Sequence, residues 1–266
     1  MLHRSARRPQ FFYTTAPLPC PYLAGRMERK IVTELTGPDA EPLHDRLSRA
    51  GFRRSHNIAY SPVCHGCQAC IPIRIDAAAF APDRTQRRVL RANEGLEGRS
   101  TPARATAEQF ALFQRYQRAR HQDGDMAAMG FYDYRAMVED TPISSGVVEF
   151  RDTSGALLAC CLTDWLSDGL SAVYSFYEPE LEKRSFGTFV VLWLVGRAVE
   201  LGLPYVYLGY WVPQSRKMAY KSRFRPSEIL SGGAWRRLEE ADIALGAPAA
   251  GEREAGAAAR LTPLGG

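Results

Sequence analysis

Between Gly146 and Trp211 the hydrophobic pattern leaves the chain little freedom in how it folds. GVVEFR, ALLACCLTDWL and LSAVYSFY are runs rich in β-branched, aromatic and apolar residues, the last two parted by Ser-Asp-Gly. They predict an antiparallel meander of strands joined by tight turns. EKRSFGTFVVLWLVGRAVELG follows and predicts a helix from about Gly187 to Leu201, ended by Gly202. PYVYLGYW then reads as a short returning strand. The longest apolar run, Phe186 to Val195, is about half a bilayer span, so it predicts a buried helix and no membrane partner.

Upstream, residues 51–75 read GFRRSHNIAYSPVCHGCQACIPIRI. Cys64, Cys67 and Cys70 form C-x-x-C-x-x-C, and two thiolates three residues apart can reach one metal ion without distorting the backbone. The spacing suits zinc or an iron–sulfur centre, with Cys20 of PCPY or His65 completing the shell. The alternative is a set of free thiols, since cysteine also behaves as a small buried hydrophobe. A bound structural metal would add on the order of 10 kcal/mol to folding. In IPIRI the alternation puts Arg74 on the strand face opposite Ile73 and Ile75.

The 266 residues, 45% of them hydrophobic, suit one large or two small globular domains. Met27 to Leu35 predicts a strand, Asp39 caps a short helix carrying Leu43 and Leu47, and Asp83 caps TQRRVLRAN. A loop with Gly95, Gly98 and Pro102 separates these from a strong helix, AEQFALFQRYQRARH after Thr106. The expected division is a frayed start over 1–10, an N-terminal α+β region with the cysteines over 11–104, a second domain over 105–240, and a disordered tail over 241–266. Six cysteines without a secretory signal argue for a cytoplasmic protein.

Net charge is +5, and its distribution says more than its size. Arginines 84, 87, 88, 91, 99 and 104 face only Glu94 and Glu97 in the same stretch. From Leu201 to Ser227 there is no acid, while Arg216, Lys217, Lys221, Arg223 and Arg225 stand among Tyr205, Tyr207, Tyr210, Trp211, Tyr220 and Phe224. Cations interleaved with aromatic platforms suit a single-stranded nucleic-acid end, through phosphate neutralisation and base stacking. The meander, helix and strand order is that of a GNAT-type acyltransferase core, and Arg184-Ser185-Phe186-Gly187-Thr188 lies where a helix N-terminus can receive a phosphate. An acyl-CoA enzyme is one reading, although the loop has a single glycine. An RNA-binding module without catalysis is another.

Several motifs occur in a fixed order: GFRRS, Y-x-P-x-C-x-x-C-x-x-C-x-P-x-R, Thr85-Gln86-Arg87-Arg88, DGLSAVY, FGT, and LPYVYLGYW followed by S-x-K-M-x-Y-K. On these, over roughly residues 11 to 237, the chain resembles the bacterial, leucine-transferring branch of the arginyl-tRNA:protein transferases. His56 stands where the pattern has glycine. The resemblance implies an N-degron enzyme with a GNAT-like α+β core. It would move leucine, or alternatively arginine, from aminoacyl-tRNA to proteins beginning with Asp or Glu, with no cofactor required for transfer. An iron–sulfur cluster in eukaryotic relatives carries over here only to Cys20, Cys64, Cys67 and Cys70.

The aminoacyl ester is already activated, so the enzyme's task is to bring an α-amine to its carbonyl and help the ribose hydroxyl leave. Asp164 is the expected base, or the group that orients the amine, with a purely structural carboxylate as the alternative. Tyr174 or Tyr210 would pass a proton to the leaving oxygen. Arg54 and Arg74 would read the acidic first residue through a guanidinium fork. Arg184, Gly187, Thr188, Lys217 and Lys221 would bind the substrates' reacting ends, Arg87, Arg88 and Arg216 the body of the tRNA, and Phe176, Phe189 and Trp193 the leucyl side chain. Arg54, Arg74, Arg184 and Lys217 are accordingly expected around one cleft.

Overall fold

Proline sets the character of the N-terminal segment. In a computed structural model describing residues 9–122 and 124–246, FFYTTAPLPCPYL yields only the two-residue strands β1 (Tyr13–Thr14) and β2 (Leu18–Pro19). Pro17, Pro19 and Pro21 bring no N–H to a ladder. Residues 1–8 of the expected frayed start and 247–266 of the expected tail lie outside the described residues. The strand expected over Met27 to Leu35 is split into β3 (Met27–Glu28) and β4 (Lys30–Glu34). Next come α1 (Ala40–Arg49), β5 (Arg53–Ser55) and β6 (Ile58–Pro62). The β5–β6 turn holds His56 at φ +52°, a left-handed conformation that favours glycine and explains the residue the family pattern has there. The first sheet runs β1-β4-β6-β5.

β7 (Ile71–Asp76) leaves this unit and joins the second. It leads to α2 (Arg84–Ala92), started by an Asp83–Gln86 capping box, and β8 (Glu97–Pro102). β8 falls where a loop is expected. Its sequence, EGRSTP, is polar because it is an exposed edge strand, held by pairing with its neighbour rather than by burial. α3 (Ala107–Arg120) opens on a Thr106–Gln109 capping box and is followed by α4 (Phe131–Glu139). The expected meander is β9 (Ser145–Arg151), β10 (Leu157–Leu166) and β11 (Gly169–Tyr177). The apolar helix is α5 (Phe186–Glu200) and the returning strand β12 (Tyr205–Trp211). β13 (Ser227–Ser231), β14 (Ala234–Arg237) and α6 (Glu240–Gly246) close the described chain, so the start of the expected tail is helical.

The second sheet runs β14-β13-β7-β12-β11-β10-β9-β8, giving a mixed α/β fold. Because β7 and β8 belong to it, the division expected at residue 104 falls inside one sheet, and the chain changes unit near residue 70 instead. Period-two alternation sends Ile73, Ile75, Val148, Cys161, Val206 and Leu208 to a core under α2 and α5. It sends Val147, Cys160, Leu162 and Phe176 to the other face, under α3 and α4. Arg74 and Tyr207 also occupy that other face, where the first unit docks: the Tyr210 hydroxyl lies 3.1 Å from the Gly51 carbonyl and 3.2 Å from that of Tyr60.

Candidate active site

β11 and β12 run parallel but pair only over Gly169–Ser171 with Tyr205–Tyr207. Beyond that point the ladder ends while β11 continues to Tyr177 and β12 to Trp211. A register shift between Tyr207 and Gly209, with Gly209 at φ +76°, turns β12 aside. Arg53 enters the resulting gap from β5. Its Nη1 donates to Ser171 Oγ (3.2 Å) and its Nη2 to the carbonyls of Ala172 (2.7 Å) and Val173 (3.3 Å). A Cβ on Gly209 would lie 2.7 Å from Arg53 Nε, so the missing side chain is what admits the guanidinium.

Lys221, in the turn Ala219–Arg223, comes against β12 near Arg53. It is 7% exposed, and its Nζ donates to the Tyr210 carbonyl at 2.8 Å. Pro72, opposite Tyr210 in β7, has no N–H to offer that strand. Burial first, then the Arg53 charge, pushes the Lys221 ammonium down to about 7.

Aromatic side chains surround the open end. The Tyr177 ring lies 4.8 Å from Tyr116 and 6.0 Å from Phe186, and Tyr116 lies 5.6 Å from His121. The Tyr174 hydroxyl accepts from Gln117 Nε2 at 2.6 Å, and burial pushes that phenol up to about 12, so it keeps its proton. Gly187, at the start of α5, leaves a site whose Cβ would sit 3.5 Å from the Tyr177 ring, an ordinary contact. Exposed Lys217 stands close enough to His121 to add to the lowering of its pKa by burial. α2 ties two loops of this rim together, Gln86 Nε2 donating to the Arg223 carbonyl (3.1 Å) and Asn93 Nδ2 to that of Arg184 (2.8 Å). Arg87, Arg88 and Arg216 are exposed.

Several sequence expectations are corrected here. Asp164 is fully buried. It accepts from Arg54 Nε (2.8 Å) and Nη2 (2.7 Å) and from Ser145 Oγ (2.7 Å), with His44 Nε2 at 3.7 Å. Sealed from solvent and held by three donors, it is not placed to act as a base, and Arg54, 4% exposed, is not placed to read a substrate. Arg74 is bound by Glu228 Oε2 (2.7 Å) and the Tyr207 hydroxyl (3.0 Å), with its guanidinium 3.5 Å over the Tyr205 ring and 4.3 Å from Trp235. It is a stacked ion pair within the fold. Tyr210 spends its hydroxyl on the first unit and cannot serve the leaving oxygen. Phe176 and Phe189 lie on opposite faces of the sheet and share no pocket. Arg184 lies over the Phe186 ring at 5.9 Å and Lys217 near His121, whereas Arg54 and Arg74 are held by their own partners elsewhere.

The cysteine expectation is corrected as well. Cys20, Cys64 and Cys67 lie near enough to Cys70 to add to the burial that pushes its thiol up to about 12. Among the described residues no three His, Cys, Asp or Glu side chains are grouped to hold an ion. The backbone N–H of Arg29 lies 3.4 Å from Cys64 Sγ. As placed, Cys20, Cys64, Cys67 and Cys70 do not form a ligand set for zinc or a cluster. Beside them is a cavity of about 1030 Å³ lined by Tyr22, Cys67, Cys70, Pro72, Trp211 and Pro213.

Arg53, Tyr116 and Tyr177 are the residues sequence reasoning missed. The doublet Arg53-Arg54 held the signal, since neighbouring strand residues point oppositely, but not which arginine faces which way.

Models of the arginine-tRNA-protein transferase N terminus and C terminus match residues 18–88 and 108–231. The aspartate/glutamate leucyltransferase of Granulibacter bethesdensis is 67% identical over 89% of this chain and 88% of its own length. Those of Gluconacetobacter diazotrophicus and Paramagnetospirillum magneticum are 63% and 62% identical, over 90% and 91% of this chain and 92% and 99% of theirs. Among solved structures, L-PGS from Bacillus licheniformis superposes with a TM-score of 0.47 and 13% identity, covering 64% of this chain and 59% of that one. With both parts of the pattern present in order, the chain belongs to the arginine-tRNA-protein transferase family.

Proposed function

We infer that this protein transfers leucine from leucyl-tRNA to the α-amine of proteins beginning with Asp or Glu, marking them for degradation by the N-degron route. What carries the reading is identity above 60% over nearly the whole chain to aspartate/glutamate leucyltransferases. The parted strands β11 and β12 support a GNAT-like core, in which a donor's reacting end enters between strands beside backbone groups that lie outside the ladder. The aromatic rim of Tyr116, Tyr177 and Tyr220 suits stacking of the terminal bases of tRNA. Arg184, Lys217 and the first turn of α5, with Gly187 and Thr188, suit its last phosphates. Arg87, Arg88 and Arg216 extend the basic surface toward the acceptor stem. Tyr174 holds a hydroxyl hydrogen available to the departing ribose oxygen.

Among the described residues no helix is long and apolar enough to cross a membrane. The decisive experiment incubates the protein with leucyl-tRNA, arginyl-tRNA or acetyl-CoA and peptides starting with Asp, Glu, Asn or Ala. A leucine mass increment confined to the Asp and Glu peptides is expected. Acetylation, or an increment from arginyl-tRNA alone, would refute the leucyl reading.

A further inference from the structure

We propose that Lys221 carries the proton in leucyl transfer and that Arg53 is the positioning residue that holds it ready, an inference that rests on the leucyl-transfer reading above. Three observations support it. Lys221 is buried, and among the described residues its Nζ makes one hydrogen bond, to a backbone carbonyl of β12. The charged or titratable groups that bear on it are Arg53 from β5 and Cys70 from the loop before β7, the latter a thiol that burial keeps protonated. Arg53 is fixed in the gap by Ser171 and two carbonyls of β11, so its charge stays beside the lysine.

A buried ammonium beside a guanidinium and, among the described residues, without a carboxylate partner is unfavourable, and the uncharged amine is the form such surroundings favour. The depressed titration noted above agrees with this. An amine that gains a proton near neutral pH suits a reaction whose nucleophile is itself an α-amine. The acceptor nitrogen bonds to the ester carbonyl carbon, and the carbon–oxygen bond to the ribose breaks with its electron pair going to the ribose oxygen. The proton shed by the nitrogen passes to Nζ. The resulting ammonium returns it, directly or through the Tyr174 hydroxyl, to that oxygen. One proton moves from nitrogen to oxygen, and the lysine ends as it began. With Asp164 buried and held by Arg54 and Ser145, Lys221 takes the role expected of that carboxylate.

The chain has only four lysines, so the titration can be followed directly. Full-length protein labelled with ¹³C-lysine is titrated by NMR, the Lys221 Cε signal being the one absent from Lys221→Met. Single-turnover leucyl transfer to a saturating Asp-initiated peptide is measured across the same pH range. Lys221 is expected to titrate near neutral pH, well below the other three. Arg53→Met should move that midpoint upward and carry the pH–rate profile with it. Lys221→Arg should bind tRNA normally and lose about 100-fold or more in transfer. A Lys221 signal that stays protonated through pH 9 in wild-type protein would overturn the proposal, as would Lys221→Arg transferring at the wild-type rate. A rate profile that stays put while the midpoint moves would also overturn it. Wild-type protein unable to transfer from leucyl-tRNA would instead overturn the leucyl reading, and this proposal with it.

Discussion

A carboxylate withdrawn from water must be matched bond for bond, and Asp164 is matched by two guanidinium donors and a serine hydroxyl. It joins β10 to β5, so its loss is felt as a weakened dock between the two sheets. Asp164→Asn and Arg54→Met should each cost about 3–5 kcal/mol by leaving a buried charge unpaired, read as a lowered urea midpoint at unchanged slope. Asp164→Asn with wild-type stability and collapsed transfer would instead make the carboxylate a participant in the chemistry. Lys221 makes the opposite kind of statement. Its folded-state pKa is depressed from 10.5 to about 7, so between those values the unfolded chain holds a proton that the folded chain does not. Stability then rises with pH across that window, by up to about 1.4 kcal/mol per unit, and the burial penalty is greatest below it. Lys221→Met should lose this slope, which urea unfolding at pH 7 and pH 9 would reveal. Neither role could be read from the residue type, because both depend on what stands opposite.

At the scale of elements, capping signals and periodicity were reliable where one segment's own physics decides its form. Asp83 and Thr106 start α2 and α3 through capping boxes, and the apolar run of α5 is buried as its composition demands. β8 was not legible, since a polar edge strand exists only because β9 offers it a ladder. The gap between β11 and β12 was equally hidden: LGYW reads as an even strand, yet it carries a register shift at Gly209. Gly209→Ala would strain a positive φ and press on Arg53. The expected result is a loss of about 1–3 kcal/mol in stability together with a fall in transfer, measured by thermal unfolding and single-turnover rate. Unchanged transfer would mean that the seating of Arg53 does not matter to catalysis.

For the whole molecule, the question is how a net charge of only +5 gathers a polyanion. α2 bridges the Arg184 and Arg223 loops through Gln86 and Asn93, and under the proposed function its exposed Arg87 and Arg88 would extend the basic surface offered by Arg216 and Lys217. Replacing Arg87 and Arg88 together by Ala should weaken tRNA binding for every sequence alike. It should also lower the slope of log affinity against log salt by about 0.7–0.9 for each phosphate no longer neutralised, in filter-binding titrations. A slope equal to wild type would remove α2 from the tRNA surface.

The amino-acid order by itself determined the meander, the helix that follows it, the caps of α2 and α3, and the family pattern, because each depends on spacing within a short stretch. Only the tertiary structure decided which of Arg53 and Arg54 enters the gap, that Arg74 and Asp164 are occupied by partners far along the chain, and that Lys221 is buried beside a like charge. Those outcomes turn on desolvation and on charges brought together from distant parts of the sequence, 110 residues apart for Arg54 and Asp164 and 154 for Arg74 and Glu228, an arrangement that no local pattern encodes.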